Sequence, residues 1–271
     1  MKHCARRPRG LVLVTTALML TCLCGLAQQK QTRTKPKPCA ATLDACMADG
    51  CEPAGTAHAL LNQTKRNVPQ STATPILLTF DDFDKLQDKA DELVGQKVTL
   101  PKAARNKLRR ISLGGRTVGE GNLVEVVAFL VGSPHPNSSG ESVNCRLKGS
   151  ANNDFHIPVA KEVDDTEFDG IVVEMIPQDE HRTSGEWTIR KLTQVQSDER
   201  PVLIRGQLFY DNEHLVNDDE ENPKGGQPKR SSLWEIHPVT QMLVCNTSNK
   251  QCDAANEDQW TPIERYAPGG R

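Results

Sequence analysis

Five runs rich in β-branched and aromatic residues lie between residues 122 and 245, and one helical pattern interrupts them. The runs cover residues 123–131, 154–158, 171–176, 202–210 and 233–244, and such runs favour β-strands. Ile189, Leu192 and Val195 recur at helical spacing between the third and fourth runs. The order of three strands, a helix and two strands is that of an OB-fold, a five-stranded Greek-key barrel with its helix between strands three and four. A generic antiparallel sandwich is the alternative, and the position of the helix favours the barrel.

The predicted fold class is therefore mainly β, or α+β overall, with a short helical segment before the barrel. Thr79 and Asp82 form an N-cap signature, and apolar residues at helical spacing follow until Gly95. A shorter helix is expected after Pro101. We predict a helical extension over 76–120 and a barrel over 121–252, with the long loops 133–153 and 212–230 bordering its ligand face. Residues 143–147 are a further candidate strand, residues 28–75 read as a poorly ordered cysteine-containing linker, and residues 253–271 as a flexible tail.

The first 27 residues have the pattern of a secretory signal peptide. A basic stretch with four Lys or Arg residues precedes an apolar stretch, and small residues lead to a predicted cleavage site after Ala27. The apolar stretch of about 16 residues is shorter than the roughly 20 that a spanning helix needs, so an uncleaved anchor is the weaker alternative. The sequence thus predicts a secreted or periplasmic protein with no transmembrane segment after cleavage.

Composition and charge exclude several classes of protein. With 37% hydrophobic residues, 25% charged residues and a mean hydropathy of −0.53, the chain is too polar for a multi-span membrane protein and not charged enough for full disorder. Loss of the four basic residues of the signal leaves 29 basic against 35 acidic residues, a net charge of −6. Nucleic acid is therefore a disfavoured partner, because phosphate binding depends on positive charge.

Six cysteines remain after the signal, and an even number in an exported chain indicates disulfides. The spacing favours a local Cys245–Cys252 bridge and one bridge within the group Cys39, Cys46 and Cys51, which leaves the third member of that group for Cys145. A zinc knuckle formed with His58 is the alternative, but the spacing lacks the usual C-x2-C clip. Disulfides are the preferred interpretation.

Histidines and carboxylates recur together along the predicted barrel. Imidazole and carboxylate groups suit a divalent metal or acid–base chemistry, and alternation puts Asp154 with His156, and Glu235 with His237, on shared strand faces. Asp211, His214 and the loop residue His135 complete the set. The chain lacks the HExxH, HxHxDH and nucleophile-elbow motifs. A structural hydrogen-bond network is therefore preferred over a catalytic or metal site.

Two further residues are ligand or metal candidates. Glu174 stands within an apolar strand, where it either faces solvent, the preferred reading, or is buried with a partner and a raised pKa. Trp234 could stack a sugar or a base, and it could equally belong to the core. Trp187, at helical spacing with Leu192, is expected in the core.

Four short segments in this order resemble a group of uncharacterised secreted bacterial proteins. The segments are residues 154–156, 173–177, 206–214 and 234–239, and the resemblance extends over about residues 120–245. It implies a small OB-like barrel and no established activity. The polar positions that it carries over are His156, Glu174, Asp211, His214, Glu235 and His237. The chain departs from the group in its long insert between strands one and two and in its cysteine-bearing front segment.

Three functions follow as hypotheses. The first is a non-enzymatic OB-like module, supported by disulfides, that binds a saccharide, a cell-wall fragment or a protein partner. The second is a metal-dependent hydrolase or nuclease that uses His156, Asp211, His214 and His237, with Glu235 or Glu174 as base. The third is a structural scaffold of the envelope. We lean towards a protein without enzymatic activity; a divalent metal is the one candidate cofactor, and no cofactor is expected for the first or third function.

Overall fold

In a computed structural model, which describes residues 38–70, 72–97, 99–216, 229–247 and 252–267, five strands close into a β-barrel. They are β4 (Leu123–Leu130), β6 (Phe155–Ala160), β7 (Ile171–Met175), β8 (Val202–Tyr210) and β9 (Trp234–Cys245). β4 pairs antiparallel with β6 and with β8, β6 with β7, and β9 with β8, while β7 and β9 are parallel. A mixed α/β chain with a closed five-stranded barrel is thereby confirmed.

Alternation along the strands separates two faces of the barrel. Ile157, Val173 and Ile236 belong to the main apolar core. Their neighbours His156, Glu174 and His237 point the opposite way, because successive side chains of a strand alternate between its two faces. The charged residues of these strands therefore lie on the outer face of the barrel. They are nevertheless buried there, and other segments must cover them.

Helices and short strands surround the barrel. The helices are α1 (Ala57–Lys65), α2 (Phe80–Leu93), α3 (Lys102–Arg105), α4 (Glu180–Thr183) and α5 (Ile189–Ser197), and single 3₁₀ turns occur at Asn106–Arg109, Ser150–Asn152, Glu167–Asp169, Glu257–Gln259 and Ile263–Arg265. The short strands are β1 (Ile76–Leu77), β2 (Ile111–Leu113), β3 (Arg116–Val118), β5 (His135–Pro136) and β10 (Trp260–Pro262). α2 starts at the predicted Thr79 cap, where Thr79 and Asp82 form a reciprocal capping box, and buries Phe83, Leu86 and Ala90 in the main core. No helix among the described residues is long and apolar enough to cross a membrane.

Three segments differ from the sequence-based prediction. Residues 143–147 form turns rather than a strand, because Cys145 and Arg146 have φ angles of 55° and 59°, which a strand does not allow. Within the predicted linker, α1 is a regular helix capped by the Thr56 side chain. Within the predicted tail, β10 pairs with β9 and Ile263 is fully buried. The signal peptide lies outside the described residues.

The six cysteines form three pairs, Cys39–Cys51, Cys46–Cys145 and Cys245–Cys252. This is the predicted pattern of one local pair, one pair within the front group and one bridge to Cys145. The Cys46–Cys145 bridge joins the segment before α1 to the loop between β4 and β6. It therefore fixes a covering segment to the outer face of the barrel.

The strands β8 and β9 approach each other closely at Gly206. A Cβ atom on Gly206 would lie 2.2 Å from the carbonyl oxygen of Pro238, so no larger residue fits without movement of the backbone. The pairing is irregular here, because Gly206 faces Val239 while Leu208 faces Ile236. His237 and Pro238 thus form a bulge opposite Gln207, whose amide donates to the His237 carbonyl at 2.7 Å.

Candidate functional site

A cleft of about 520 Å³ opens on the outer face of β6 and β7. The loop between β4 and β6 and the described ends of the loop between β8 and β9 border it, and α1 contributes Asn62 and Lys65 to its wall. Its floor carries His156 and Glu174, which are paired across β6 and β7. Strand pairing therefore sets the position of the imidazole and the carboxylate at the centre of the site.

Glu174 links two histidines through its two oxygen atoms. Its Oε1 lies 3.1 Å from His156 Nε2, and its Oε2 lies 3.0 Å from His237 Nε2. His156 Nε2 also lies 3.4 Å from Glu141 Oε1. Glu174 is only 2% exposed, so the expectation that it faces solvent is wrong: α1 and the loops cover this face of the strand.

His237 Nε2 lies between two carboxylates but can donate a hydrogen bond to only one of them. Its Nε2 lies 3.1 Å from Asp154 Oδ2 as well as 3.0 Å from Glu174 Oε2, yet that nitrogen carries at most one hydrogen. Asp154 Oδ1 accepts a hydrogen bond of 3.0 Å from the Asn144 amide. The hydrogen bond from His237 goes to Asp154, and Glu174 Oε2 receives none.

Asp211 brings a third carboxylate to the cluster directly after β8. Its Oδ2 lies 3.2 Å from His214 Nε2 and 3.6 Å from Lys65 Nζ. Its Oδ1 accepts the backbone N–H of Glu213 at 3.1 Å, which fixes the turn that leads to His214. Lys65 is the last residue of α1, so the front segment supplies a cation to the barrel.

Glu235 is a fully buried carboxylate of the cluster, like Asp154 and Asp211. It is paired with Arg230 through Nη1 and Oε1, and its Oε2 has no hydrogen-bond partner. Both side chains are at most 2% exposed. Glu235 and His237 point to the same side of β9, as the alternation predicted.

Asn144 and Glu141 place the loop between β4 and β6 on the cluster. Glu141 Oε2 accepts the Asn144 amide at 3.0 Å and the backbone N–H of Asp154 at 3.1 Å. These bonds leave Glu141 Oε1 directed at His156. The neighbouring Cys46–Cys145 bridge holds this loop against the front segment.

Burial and the neighbouring charges shift the pKa values in opposite directions. Burial alone would lower the pKa of His237, but the charge of Glu174, the hydrogen bond to Asp154 and the charge of Asp154 raise it to about 10. The pKa of His156 is raised well above its usual value for similar reasons. Burial would raise the pKa of Glu174, yet the two histidines hold it well below its ordinary range.

The carboxylates at the other end of the cluster behave differently. Burial and the charge of Glu174 raise the pKa of Glu235 to about 8 despite Arg230. Burial would also raise the pKa of Asp211, but Lys65, His214 and Arg230 lower it far below the usual value. Burial thus disfavours the ionised form of Glu235, as it does for Asp154, whose pKa is also raised.

Three groups in the described part of the chain could hold a metal ion. They are Glu141 with His156 and Glu174, Asp154 with Glu174 and His237, and Glu174 with Asp211 and Glu235, and in each group the candidate ligand atoms lie within 4.8 Å of one another. The first group opens onto the cleft, whereas every residue of the other two is buried. Glu174 belongs to all three.

The structure assembles most of the predicted site residues. Asp154, His156, Glu174, Asp211, His214, Glu235 and His237 form one connected cluster. His135 lies beside it, with its ring 5.5 Å from that of His156. Trp234 belongs to the barrel core, where it packs edge-on against Tyr210, so its assignment as a ligand-stacking residue is wrong. Trp187 is buried as expected.

Sequence reasoning missed Lys65, Glu141 and Arg230. Thr56 is an N-cap residue, and this signal could have predicted α1, of which Lys65 is the last residue. It could not have predicted that Lys65 pairs with Asp211. Glu141 and Arg230 stand in irregular loops without a periodic pattern. Only the proximity of Glu141 to Cys145 indicated that its loop is anchored.

No protein-family model matches this chain, and neither the curated proteins nor the solved structures contain a match to it. The resemblance to secreted bacterial proteins therefore stays a prediction. The function has to be inferred from the geometry of the cleft.

Proposed function

We propose that the protein is a metal-dependent hydrolase of an anionic ester, built on an OB-like barrel. One observation carries the proposal: Glu141, His156 and Glu174 direct ligand atoms that lie within 4.8 Å of one another towards an open cleft. The proposal selects the second of the three sequence-based hypotheses.

The strand connections support the OB-like part of the proposal. Around the barrel the order is β4, β6, β7, β9, β8, and α5 lies in sequence between β7 and β8. In OB-folds the second and third strands, with the loops after strands one and four, form the ligand face. Here those strands are β6 and β7, and the same two loops border the cleft.

The two distances to His156 are compatible with a single ion, and the Glu141 and Glu174 ligand atoms lie within 4.8 Å of each other. Two ligands that are each about 2.1 Å from one cation lie about 3.0–3.4 Å apart at octahedral to tetrahedral angles. His156 Nε2 lies 3.1 Å from Glu174 Oε1 and 3.4 Å from Glu141 Oε1. Asp154 and His237 hold the other side of Glu174, as outer residues hold the carboxylate ligands of metal sites.

The ligand count and the charges of the cleft suggest the chemistry. Three protein ligands leave coordination positions open, which is typical of catalytic sites. A divalent cation held there would polarise an ester bond and a water molecule. Lys65, Lys229 and Arg230 line the same cleft, each paired with a carboxylate, and Glu141, Glu174 and Glu213 line it as well. The bound cation would therefore supply the main attraction for a negatively charged substrate.

The first hypothesis, a non-enzymatic module for a saccharide, a cell-wall fragment or a protein partner, has less support in its saccharide form. Stacking on a sugar requires an exposed aromatic ring, and the described residues that line the cleft include no Trp, Tyr or Phe. The third hypothesis, a scaffold, predicts that the cluster is only a structural ion network. Export remains part of the proposal, supported by the three cysteine pairs.

Calorimetric titration of chelator-treated protein with Zn²⁺ and Mn²⁺ tests the proposal. We expect stoichiometric binding, loss of binding in His156→Gln, and metal-dependent hydrolysis of bis(p-nitrophenyl) phosphate. His181→Gln is a matched control, because His181 also lies between two carboxylates, Glu186 at 2.7 Å and Glu264 at 3.8 Å, outside the cleft. Wild-type protein that binds neither ion would contradict the proposal, and binding without turnover would reduce it to a metal-dependent binding module.

A further inference from the structure

A second group of carboxylates lies beneath the floor of the cleft. One oxygen each from Glu174, Asp211 and Glu235 lies within 4.8 Å of the others, and none of the three residues is more than 2% exposed. Ionised carboxylates that are this close together and buried away from solvent repel one another strongly. Lys65, Arg230, His156 and His237 offset part of this repulsion, and a cation or a shared proton would offset the rest.

One buried oxygen of each carboxylate lacks a hydrogen bond of good geometry: Glu174 Oε2, Asp211 Oδ2 and Glu235 Oε2. Imidazole nitrogens lie near the first two, because His237 Nε2 is 3.0 Å from Glu174 Oε2 and His214 Nε2 is 3.2 Å from Asp211 Oδ2. Among the described residues no nitrogen is paired with Glu235 Oε2, and buried polar atoms are almost always paired, so this oxygen calls for an explanation. Converging carboxylate oxygens are the ligands that hard divalent cations prefer.

The neighbouring basic side chains satisfy the group only in part. Arg230 reaches Glu235 through Oε1 and leaves Oε2 without a donor. Lys65 Nζ lies 3.6 Å from Asp211 Oδ2, which is beyond hydrogen-bond distance. The two basic residues therefore reduce the negative charge of the group without coordinating it.

We propose that Glu174, Asp211 and Glu235 hold a second divalent cation. The Glu174 carboxylate would then bridge this cation and the cation at His156. His214 is a candidate fourth ligand, because its Nε2 lies 3.2 Å from Asp211 Oδ2 and its side chain lines the cleft. The bridge rests on the proposed function, whereas the second site stands on its own residues.

A bridged pair of cations would narrow the substrate class. Two ions a few ångströms apart can stabilise the attacking and the leaving oxygen of the same phosphoryl group, and the buried second ion would reach a substrate from the side of His214, which lines the cleft. A phosphate ester would also meet Lys65, Lys229 and Arg230 along the wall of the cleft. Phosphate esters are therefore the anionic esters that this arrangement fits best.

A shared proton is the competing explanation for the same geometry. A protonated Glu235 could donate to Glu174 or Asp211 and relieve the repulsion without a metal. Glu235→Gln separates the two explanations. A glutamine amide still offers a neutral donor and a carbonyl oxygen that accepts from Arg230, but it is a poor metal ligand. Asp211→Asn is the second variant, in case Glu235→Gln does not fold.

The experiment counts Mn²⁺ ions bound to chelator-treated full-length protein, by calorimetry and by electron paramagnetic resonance. We expect two equivalents and a coupled spectrum in the wild type, one equivalent in Glu235→Gln and in Asp211→Asn, one in His156→Gln, and two in His181→Gln. Circular dichroism confirms that each variant is folded.

The outcomes separate the second site from the first. One equivalent in the wild type that survives Glu235→Gln but is lost in His156→Gln would overturn the second site and leave the proposed function standing. One equivalent lost in Glu235→Gln but kept in His156→Gln would support the second site and overturn the first. No bound ion in the wild type, or one equivalent lost in both variants, would overturn the second site.

Discussion

The inner and outer faces of the same strands are both buried, but they are stabilised in different ways. On the inner face, Ile157, Val173 and Ile236 pack in an apolar core. On the outer face, their neighbours His156, Glu174 and His237 are charged groups that α1 and two loops cover. Apolar burial stabilises a protein without partners, whereas a buried charge destabilises it unless each partner is in place.

Burial of the outer face depends on the segments that cover it, whereas burial of the inner face does not depend on those segments. The barrel core is formed by the strands together with α2 and α5. The outer cluster becomes buried only when Lys65 and Glu141 are brought over it, and the Cys46–Cys145 bridge connects their two segments. The four predictions below test this division, from the largest expected effect to the smallest.

Removal of the Cys46–Cys145 bridge should have the largest effect. The bridge spans 99 residues of sequence, and cross-links over loops of this length contribute about 4–5 kcal/mol. The double variant Cys46→Ser/Cys145→Ser should lose about that free energy of unfolding in urea, and its Mn²⁺ affinity should fall about 10- to 100-fold as Glu141 is released.

The matched control for this prediction is Cys245→Ser/Cys252→Ser, whose bridge spans 7 residues. It should lose only about 2 kcal/mol and keep its Mn²⁺ affinity, because its bridge lies outside the cleft. Equal losses of affinity in the two double variants would contradict the idea that the first bridge holds the cover of the outer face.

Arg105→Met should leave a buried charge on the outer side without its partner. Arg105 donates to both oxygens of Glu120, at 2.9 and 2.6 Å, and both side chains are buried. Loss of one member of such a pair destabilises by about 3–5 kcal/mol, measured by urea unfolding. Arg105→Met/Glu120→Gln should recover part of this stability. Arg105 also donates to Asn212 and to the Tyr210 carbonyl and lies 5.0 Å from the centre of the Phe209 ring, and an equally unstable double variant would show that these contacts dominate.

Ile204→Ala should separate stability from the site. Ile204 is fully buried in the barrel core, where it pairs with Val126 and Met242. Its truncation should lower the free energy of unfolding by about 3 kcal/mol through a cavity. Mn²⁺ stoichiometry at 25 °C should remain that of the wild type, and a lost equivalent would show that the two faces are coupled.

His181→Gln should have the smallest effect, and the effect should depend on pH. A hydrogen bond to Glu186 is the main cause that raises the pKa of His181, with Glu264 and Asp179 adding to it. A raised pKa stabilises the fold fully below the unfolded value of about 6.5. The stabilisation disappears as pH rises through the folded pKa.

The wild type should therefore exceed His181→Gln in stability at pH 5.5 by less than about 1 kcal/mol, because the pair is partly exposed. Urea unfolding at pH 5.5 and pH 9 measures the difference between the two proteins. A difference that grows with pH would contradict the assigned sign.

The period of the strands made much of the barrel predictable. Apolar runs located all five barrel strands, and alternation placed Glu235 with His237 on one side of β9. The capping box at Thr79 located the start of α2. These features depend on neighbours in sequence, and local patterns report them well.

The covering segments could not be predicted in the same way. Whether Glu174 faces solvent or a buried partner depends on α1, which is more than 100 residues away in sequence and joins the barrel through a disulfide. Glu141 and Arg230 belong to loops, where side-chain direction follows no period. The place of Trp234 could not be predicted, because a position in a strand does not say whether the side chain points into the barrel core or towards its outer face.

The tight contact at Gly206 determines which parts of the site can adapt. The backbones of β8 and β9 are in close contact at Gly206. His237, and the paired residues Glu174 and His156, are therefore held in fixed positions by the sheet. Asp211, His214 and Glu141 are attached to loops and can adjust by small backbone shifts. Substitutions at Gly206 would therefore displace His237, Glu174 and His156 together, whereas substitutions in the loops would move Asp211, His214 or Glu141 one at a time.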